Sequence, residues 1–197
     1  MFKTFLPKLL LASLIGGLVM TAYSLFLIYR QNTTFPNLTV PPVVLPEKAS
    51  ETPVQLQIPS LHIDAPIESV GTNASGEMDV PQDIENVAWF SLGVAPGETG
   101  NAVIAGHYGW KDQKASAFDR LEEVQINSLI HVTSASGTLV TFKVREVKTY
   151  AWNADAKEIF IAADGKSHLN LITCAGTWDA KNKTYLERVV VFTDKLE

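Results

Sequence analysis

The sequence reads Leu171-Ile172-Thr173-Cys174 and, after a polar loop, Tyr185-Leu186-Glu187-Arg188-Val189-Val190-Val191-Phe192. The first stretch is typical of the end of a buried β-strand, and the second is typical of the next strand, because short apolar runs rich in β-branched residues favour strands. A third apolar run, Asn101 to Ala105, ends in Gly106-His107. The pattern predicts a β-fold that carries a thiol, an imidazole and a guanidinium on separate strands.

Cys174 is the only cysteine in the chain of 197 residues. A thiol is activated as a nucleophile by a nearby imidazole, and a cation can stabilise the oxyanion that develops during acyl transfer. His107 and Arg188 are the candidates for these two roles. Free cysteine is also among the most buried residue types and often only fills space in a core. The local sequence leaves both interpretations of Cys174 open.

Residues 54–197 show the same strand pattern throughout. Val54 to Ile58 alternates apolar and polar residues, and Leu129 to Tyr150 is typical of a hairpin with its turn at 134–137. Only the short segment 117–124 has a helical pattern. Roughly eight strands separated by short turns indicate a single all-β domain, either a closed barrel or a sandwich.

The N-terminal region is predicted to be a membrane anchor. Leu9 to Tyr29 is an uncharged, mostly apolar run of 21 residues, long enough for a helix to cross a hydrocarbon core of about 30 Å. A cleaved signal peptide is the alternative, but its apolar core is usually only about 7–15 residues and is followed by a small-residue cleavage site. Lys3 and Lys8 favour a cytoplasmic N-terminus at 1–8 and an extracellular location for the residues after Arg30.

Residues 30–53 contain five prolines and are predicted to be an extended extracellular linker. The part of the chain after Arg30 carries 13 Lys+Arg and 21 Asp+Glu, a net charge of −8, and this acidic balance argues against nucleic acid as a partner. A domain of this size can bury a sufficient core without a disulfide. An unpaired thiol outside the cell is an oxidation liability, so its presence favours a chemical role.

Several strings occur in an order that resembles the sortase family, the membrane-anchored cysteine transpeptidases of Gram-positive bacteria. The strings are Ile58-Pro59-Ser60-Leu61, Gly76 to Pro81, Ala102 to His107, Leu171 to Cys174, and Arg188 on the strand after the cysteine. The resemblance covers essentially the whole chain, including the anchor and the linker. Trp89-Phe90 and the segment 171–176 look closer to the D, E and F classes of the family than to class A.

The resemblance implies a closed eight-stranded β-barrel with one or two short helices, preceded by a single transmembrane helix. It implies that Cys174, as a thiolate, attacks the Thr carbonyl of a Leu-Pro-x-Thr-Gly-like sorting signal, while His107, as an imidazolium, protonates the departing amine and Arg188 holds the oxyanion. The thioacyl enzyme would then be resolved by a primary amine of a cell-wall peptide or a pilin lysine.

Five residues are candidates for substrate binding. Trp152, Ile159 and Ile161 lie in the connection 151–168 and could form an apolar pocket for the Leu-Pro part of a peptide, or simply cap the core. Trp178 lies in the loop after Cys174 and could flank the groove. The Thr173 hydroxyl could orient the substrate or the cysteine.

No cofactor or metal is predicted. The four histidines lack metal-ligand spacing, and the sequence contains no Cys-x-x-Cys or His-Glu-x-x-His string. Glu122, Glu123 and Asp155 could be considered for calcium, but charged loop residues are usually only solvated. The alternative to an enzyme is a membrane-tethered β-domain that binds cell-wall peptides and would tolerate Cys174→Ala.

Overall fold

The computed structural model describes Tyr23, Leu25, Phe26 and residues 52–111 and 114–197. Nearly all of the predicted anchor (9–29) and of the predicted linker (30–53) therefore lies outside the described residues. Within the described part of the chain, no helix combines the length and the apolar character needed to cross a membrane.

The described chain is almost entirely β-structure. Eight strands close into one barrel in the order β1-β2-β3-β4-β9-β10-β8-β7, and β5 and β6 form a separate two-stranded sheet. The strands are β1 Pro53–Ile58, β2 Ile63–Val70, β3 Val87–Phe90, β4 Gly100–Gly106, β5 Trp110–Lys111, β6 Lys114–Ala115, β7 Leu129–Ser134, β8 Leu139–Ala151, β9 Ser167–Asp179 and β10 Thr184–Lys195. The prediction of a closed eight-stranded barrel is confirmed, and the sandwich alternative is excluded.

Within residues 52–111 and 114–197, three short 3₁₀ turns accompany the strands at Pro59–Leu61, Leu121–Glu123 and Lys157–Ile159. The helix expected over 117–124 is thus reduced to one turn. Phe118 and Leu121 from this segment are fully buried in the barrel core. The segment is held by its tertiary contacts, because a helix of this length has little stability of its own.

Four strands meet at the end of the barrel that carries Cys174. β4 runs parallel to β9 in a register that pairs Ala105 with Ile172, whereas β10 runs antiparallel to both β9 and β8. The C-terminal ends of β4, β8 and β9 and the N-terminal end of β10 therefore lie together. This arrangement brings residues that are far apart in sequence to one edge of the sheet.

β9 buries both of its faces over residues 168–171. Leu169 and Leu171 of β9 contribute to the barrel interior, whereas Ile172 packs on the outer face against a second cluster that contains Val103 and Val190. Successive side chains of a strand point to opposite faces. Cys174, two residues after Ile172, therefore belongs to the outer face, where Ile159 of the connection after β8 covers the second cluster.

Candidate active site

Cys174 lies directly opposite Arg188 in the antiparallel pair β9–β10. Directly opposed residues of such a pair have Cβ atoms about 4.5–5.5 Å apart and project from the same face of the sheet. Both residues are half-buried. The thiol and the guanidinium are thus neighbours on the outer face of the barrel.

His107 follows the last residue of β4. Because β4 and β9 are parallel, with Ala105 level with Ile172, extending the register by two residues brings His107 level with Cys174. The His107 ring is half-buried, and its Nε2 lies 2.9 Å from the carbonyl oxygen of Pro81. The three residues named as catalytic from the sequence therefore lie side by side on three adjacent strands, His107 directly after β4 and Cys174 and Arg188 within β9 and β10.

Thr173 links β9 to the end of β4, next to His107 and Cys174. Its side chain is buried, and its Oγ1 donates a 2.9 Å hydrogen bond to the carbonyl oxygen of Gly106. Gly106 immediately precedes His107, and Thr173 immediately precedes Cys174. The hydroxyl is directed at the backbone of β4, so Thr173 is placed to align β4 with β9 next to His107 and Cys174.

Gly106 allows the chain to pass closely over a buried aromatic ring. A Cβ atom at this position would lie 2.5 Å from Cδ2 of Phe118 and 2.7 Å from its Cγ, closer than non-bonded carbon atoms approach. Phe118 is fully buried, and its backbone N–H donates to the carbonyl oxygen of His107 at 3.2 Å. Phe118 therefore contacts both residues at this point of the chain, with its ring packed against Gly106 and its backbone N–H bonded to His107.

The electrostatic environment of Cys174 combines two opposing effects. Burial raises the pKa of the Cys174 thiol, and the positive charge of Arg188 partly offsets this increase. Since even a free thiol is mostly protonated at neutral pH, a raised pKa favours the protonated form of Cys174, so the thiolate that the resemblance implies has to be formed by proton transfer. Its attack on a carbonyl therefore requires a proton acceptor, and His107 is the imidazole at this end of the barrel.

The Arg188 guanidinium is held against the start of β10. Its Nη1 donates to the carbonyl oxygens of Tyr185 (3.0 Å) and Glu187 (2.8 Å), and its Nη2 donates to Oγ1 of Thr184 (3.0 Å). An arginine side chain has five N–H donors. Within the described part of the chain, Nε–H and one Nη2–H have no partner, which leaves two donors for an oxyanion.

The apolar candidates for substrate binding do not form one pocket at the thiol. Ile159 is only 2 % exposed and packs in the second cluster, so it caps the core, the second of the two roles considered for it. Ile161 is 66 % exposed and lines a cavity of about 230 Å³ together with His168. His168 precedes Cys174 by six residues, about 20 Å along an extended strand.

The two tryptophan candidates lie nearer to the catalytic groups. Trp152 follows β8 directly, is 43 % exposed, and its backbone N–H donates to the carbonyl oxygen of Leu186 at 2.9 Å. Trp178 is 52 % exposed and lies on β9, four residues beyond Cys174. The prediction that the strand ends at Cys174 and that Trp178 lies in a loop is wrong, because pairing with β10 continues β9 as far as Asp179. Both are accessible at the edge of the barrel where β10 begins.

An aromatic cluster beside His107 was not predicted from the sequence. The ring of Tyr185 makes edge-to-face contacts with Tyr108 and with Trp178, each with centroids 5.2 Å apart. Burial raises the pKa of Tyr108, and the nearby acidic residues Glu122 and Asp119 add to the increase. Two sequence signals could have indicated this aromatic cluster: Tyr108 directly follows His107, and Trp178 was already a candidate for substrate binding.

The three residues considered as calcium ligands, Glu122, Glu123 and Asp155, do not form a common binding site. Glu123 pairs with Arg120, and Asp155 pairs with Lys157 at 2.8 Å. Across residues 52–111 and 114–197, His, Cys, Asp and Glu side chains form no group of three or more that could hold a metal ion.

Comparisons with known proteins agree with this architecture. A family model described as the sortase domain matches residues 56–196. The structure of sortase C-1 from Actinomyces oris is similar with a TM-score of 0.58 at 20 % identity, covering 73 % of this chain and 73 % of that chain. Sortase A from Corynebacterium diphtheriae gives a TM-score of 0.57 at 22 % identity, covering 74 % of this chain and 61 % of that chain.

A third similar structure is that of Streptococcus agalactiae sortase C1 in complex with MTSET. Its TM-score is 0.56 at 22 % identity, and the match covers 73 % of this chain and 67 % of that chain. At these identities the structural likeness shows a shared fold. No curated protein sequence matches this chain.

Proposed function

The chain belongs to the sortase family, and on that premise we propose that it cleaves a Leu-Pro-x-Thr-Gly-like sorting signal between Thr and Gly and transfers the product to a primary amine. The observation that carries the proposal is the register of the three adjacent strands β4, β9 and β10. It pairs Cys174 with Arg188 and brings His107 level with the thiol. These are the nucleophile, the oxyanion donor and the proton carrier that acyl transfer requires.

The first half-reaction begins with the protonated thiol of Cys174. His107 accepts the thiol proton as Sγ attacks the Thr carbonyl carbon, and the carbonyl oxygen becomes an oxyanion. The unpartnered N–H groups of Arg188 donate to that oxyanion, for which a permanent charge and a fixed donor geometry are well suited. The C–N bond to Gly then breaks, His107 returns the proton to the departing amine, and a thioester to Cys174 remains.

The second half-reaction regenerates the thiol. A primary amine attacks the thioester carbon, His107 accepts the proton that the amine loses, and the C–S bond breaks to give a new amide. The proton returns to Sγ of Cys174, so the reaction needs no external oxidant or reductant. The proposed acceptors are a cell-wall peptide or a pilin lysine.

The proposed peptide path is the outer face of β4, β9 and β10. Ile172 lies on this face two residues before Cys174, and Trp152 lies where the connection after β8 begins. An extended peptide that ends at the thiol would run along these residues. The Leu-Pro part would thus contact apolar side chains.

Three finer points belong to the same proposal. The apolar run from Leu9 to Tyr29 would anchor the chain in the cell membrane with the barrel outside, as its length and flanking lysines indicate. Trp89-Phe90 and the segment 171–176 support a class nearer to D, E and F than to A. The sorting signal and the acceptor would then be those of a Gram-positive cell surface.

Intact-mass spectrometry tests the proposal directly. The purified full-length chain is incubated with a panel of Leu-Pro-x-Thr-Gly and Leu-Ala-x-Thr-Gly peptides, with the Cys174→Ala variant as the control. We expect an adduct equal to the peptide truncated after Thr, absent from the variant and lost when an amine is added. The opposite result is a chain that forms no adduct and cleaves no peptide, but whose affinity for the peptides is the same in Cys174→Ala. Such a chain would be a non-catalytic β-domain that binds cell-wall peptides.

A further inference from the structure

The ring of His107 is fixed by a backbone carbonyl in the segment 81–86. Its Nε2 lies 2.9 Å from the carbonyl oxygen of Pro81, a buried residue. A carbonyl oxygen can only accept a hydrogen bond, so Nε2 of His107 must carry a proton. Among the described residues, Nδ1 of His107 has no hydrogen-bond partner. In the neutral ring, Nδ1 is therefore the atom that is free to accept a proton.

The segment 81–86 is held in turn by the carboxylate of Glu68. Its Oε2 accepts a hydrogen bond from the backbone N–H of Gln82 at 2.9 Å, the residue directly after Pro81. Its Oε1 accepts from the backbone N–H of Asp83 at 3.3 Å and from Nδ2 of Asn86 at 2.8 Å. One side chain thus accepts hydrogen bonds from three donors of the segment 81–86.

Glu68 is itself attached to the barrel. It lies on β2, and its Cα partner in the parallel strand β3 is Ala88, a fully buried residue. The Glu68 side chain therefore links this loop to the barrel wall close to Pro81, whereas the middle of the loop is held by a hydrogen bond from the backbone N–H of Ala117 to the carbonyl oxygen of Ile84 at 2.8 Å. The hydrogen bonds from Gln82 and Asn86 are the main reasons why the pKa of Glu68 is lowered, and the charge of His107 makes a smaller contribution. Glu68 is therefore ionised at neutral pH.

The other acidic residues of this region do not perform the same task. The Asp83 side chain accepts from the backbone N–H of Glu85 at 3.0 Å within the loop itself. The Glu85 carboxylate is exposed and pairs with Lys114 at 2.6 Å. Neither carboxylate bridges the loop to the barrel.

We propose that Glu68 is a positioning residue for His107. It holds the segment 81–86 so that the Pro81 carbonyl keeps the proton of the neutral imidazole on Nε2 and leaves Nδ1 to exchange protons with the thiol and the departing amine. This inference rests on the proposed function of His107 as the acid and base. It adds a residue from β2, 39 positions upstream of His107, to the groups on which the reaction depends.

Nitrogen NMR of the histidine rings tests the inference without relying on turnover. The full-length chain is labelled with ¹⁵N-histidine, and a His107→Gln variant identifies the His107 signals among the four histidines. At a pH where the ring is neutral, we expect a protonated Nε2 and a pyridine-like Nδ1 in the unmodified chain. In Glu68→Gln an amide N–H₂ group would replace one carboxylate oxygen and would face an N–H donor of the loop. The Pro81 carbonyl would then be held less firmly against Nε2 of His107, so we expect a mixture of the Nε2-protonated and Nδ1-protonated forms of the ring.

Kinetics with the peptide panel provides the second readout. In Glu68→Gln we expect kcat to fall by about ten- to a hundredfold, as when a catalytic group is displaced by about an ångström, with little change in KM. Glu85→Gln is the matched control, because Glu85 lies in the same segment without holding it to the barrel, and both the tautomer and kcat should stay unchanged. Asn86→Ala removes one of the three hydrogen bonds and should give a smaller change in the same direction.

The outcomes separate the positioning role from the proposed function. If Glu68→Gln and Asn86→Ala both keep the tautomer of the unmodified chain, or if Glu68→Gln keeps its kcat, the positioning role is wrong. If Glu68→Gln does not fold, Asn86→Ala decides between the same two results. If the tautomer changes but the unmodified chain turns over no peptide, Glu68 positions His107 and it is the proposed function that fails.

Discussion

Cys174 and Arg188 are direct partners across the antiparallel strands β9 and β10. This register matters because a slip of one residue would turn Arg188 to the opposite face of the sheet, away from the thiol. An irregularity between Tyr185 and Glu187 interrupts the pairing just before Arg188. The regular pairing from Glu187 onward therefore sets the face on which the guanidinium meets the thiol.

The charge of Arg188 should be visible in the reactivity of Cys174. Because Arg188 lowers the pKa of the thiol against the effect of burial, Arg188→Met should move the midpoint of Cys174 alkylation to higher pH. Arg188→Lys keeps a positive charge and should move the midpoint less. The measurement is the rate of iodoacetamide labelling against pH, with Cys174→Ala as the blank. A midpoint that moves to lower pH in Arg188→Met would contradict the assignment.

The hydrogen bond from Thr173 to Gly106 should contribute to stability. Thr173→Val keeps the shape of the side chain but leaves the Gly106 carbonyl oxygen without this donor in a buried site, at a cost of about 1–3 kcal/mol in the free energy of unfolding. Urea denaturation measures the loss. Thr177→Val, on the exposed part of β9, is the control and should change the stability little.

Turnover should fall in Thr173→Val as well, because the bond aligns β4 with β9 next to His107 and Cys174. The peptide assay measures kcat at a temperature where both variants are folded. Equal kcat values in Thr173→Val and Thr177→Val would show that the alignment does not depend on this bond.

Replacing Gly106 should disturb the turn at His107. In Gly106→Ala the new methyl group would overlap the buried ring of Phe118, and we expect a loss of about 1–3 kcal/mol in stability, as is typical of overpacking. Thermal unfolding measures the change. Gly71→Ala is the control, because its nearest contact would be 3.9 Å from Leu92. Phe118→Leu removes the ring that the new methyl group overlaps. In the Phe118→Leu background, Gly106→Ala should therefore cost less free energy of unfolding than it does in the unmodified chain.

Tyr150 should hold the connection between β8 and β9 in place. Its hydroxyl donates a hydrogen bond to the Glu158 carboxylate, and burial together with this carboxylate raises the pKa of Tyr150, so the phenol stays protonated as a donor. In Tyr150→Phe we expect faster hydrogen exchange across residues 152–161, measured by mass spectrometry. Glu158→Gln keeps an acceptor and should show a smaller increase. Unchanged exchange in Tyr150→Phe would show that the segment is held without this bond, by the packing of Ile159 and the hydrogen bonds from Asn101 and Asn170 to its backbone.

Much of the fold could be predicted from the sequence because strand signals are local. Alternation of apolar and polar residues identified most of the barrel strands, and the order of short strings along the chain indicated the family. The segment 117–124 was the weak point, since its apolar residues have helical spacing but are too few to form a helix alone. Phe118 and Leu121 instead serve as anchors in the barrel core.

The substrate-binding candidates were harder to predict because burial depends on what covers a residue. Ile159, Ile161 and Trp152 share one connection and a similar composition, yet Ile159 is buried and the other two are exposed. The Thr173 hydroxyl could be directed at either face or at the backbone of a neighbour. Sequence spacing alone does not distinguish these outcomes.

The amino-acid sequence is enough to identify a β-domain of the sortase family. It also identifies the candidate catalytic groups, which are the thiol of Cys174, the imidazole of His107 and the guanidinium of Arg188. Strand patterns and the order of motifs are local properties of the chain, so they can be recognised without knowledge of the fold. Only the folded barrel shows that Cys174 faces Arg188, that Thr173 bonds to Gly106, and that Glu68 holds the loop touching His107. Each of these relationships depends on the pairing of strands distant in sequence, and that pairing is set by the packing of the whole barrel.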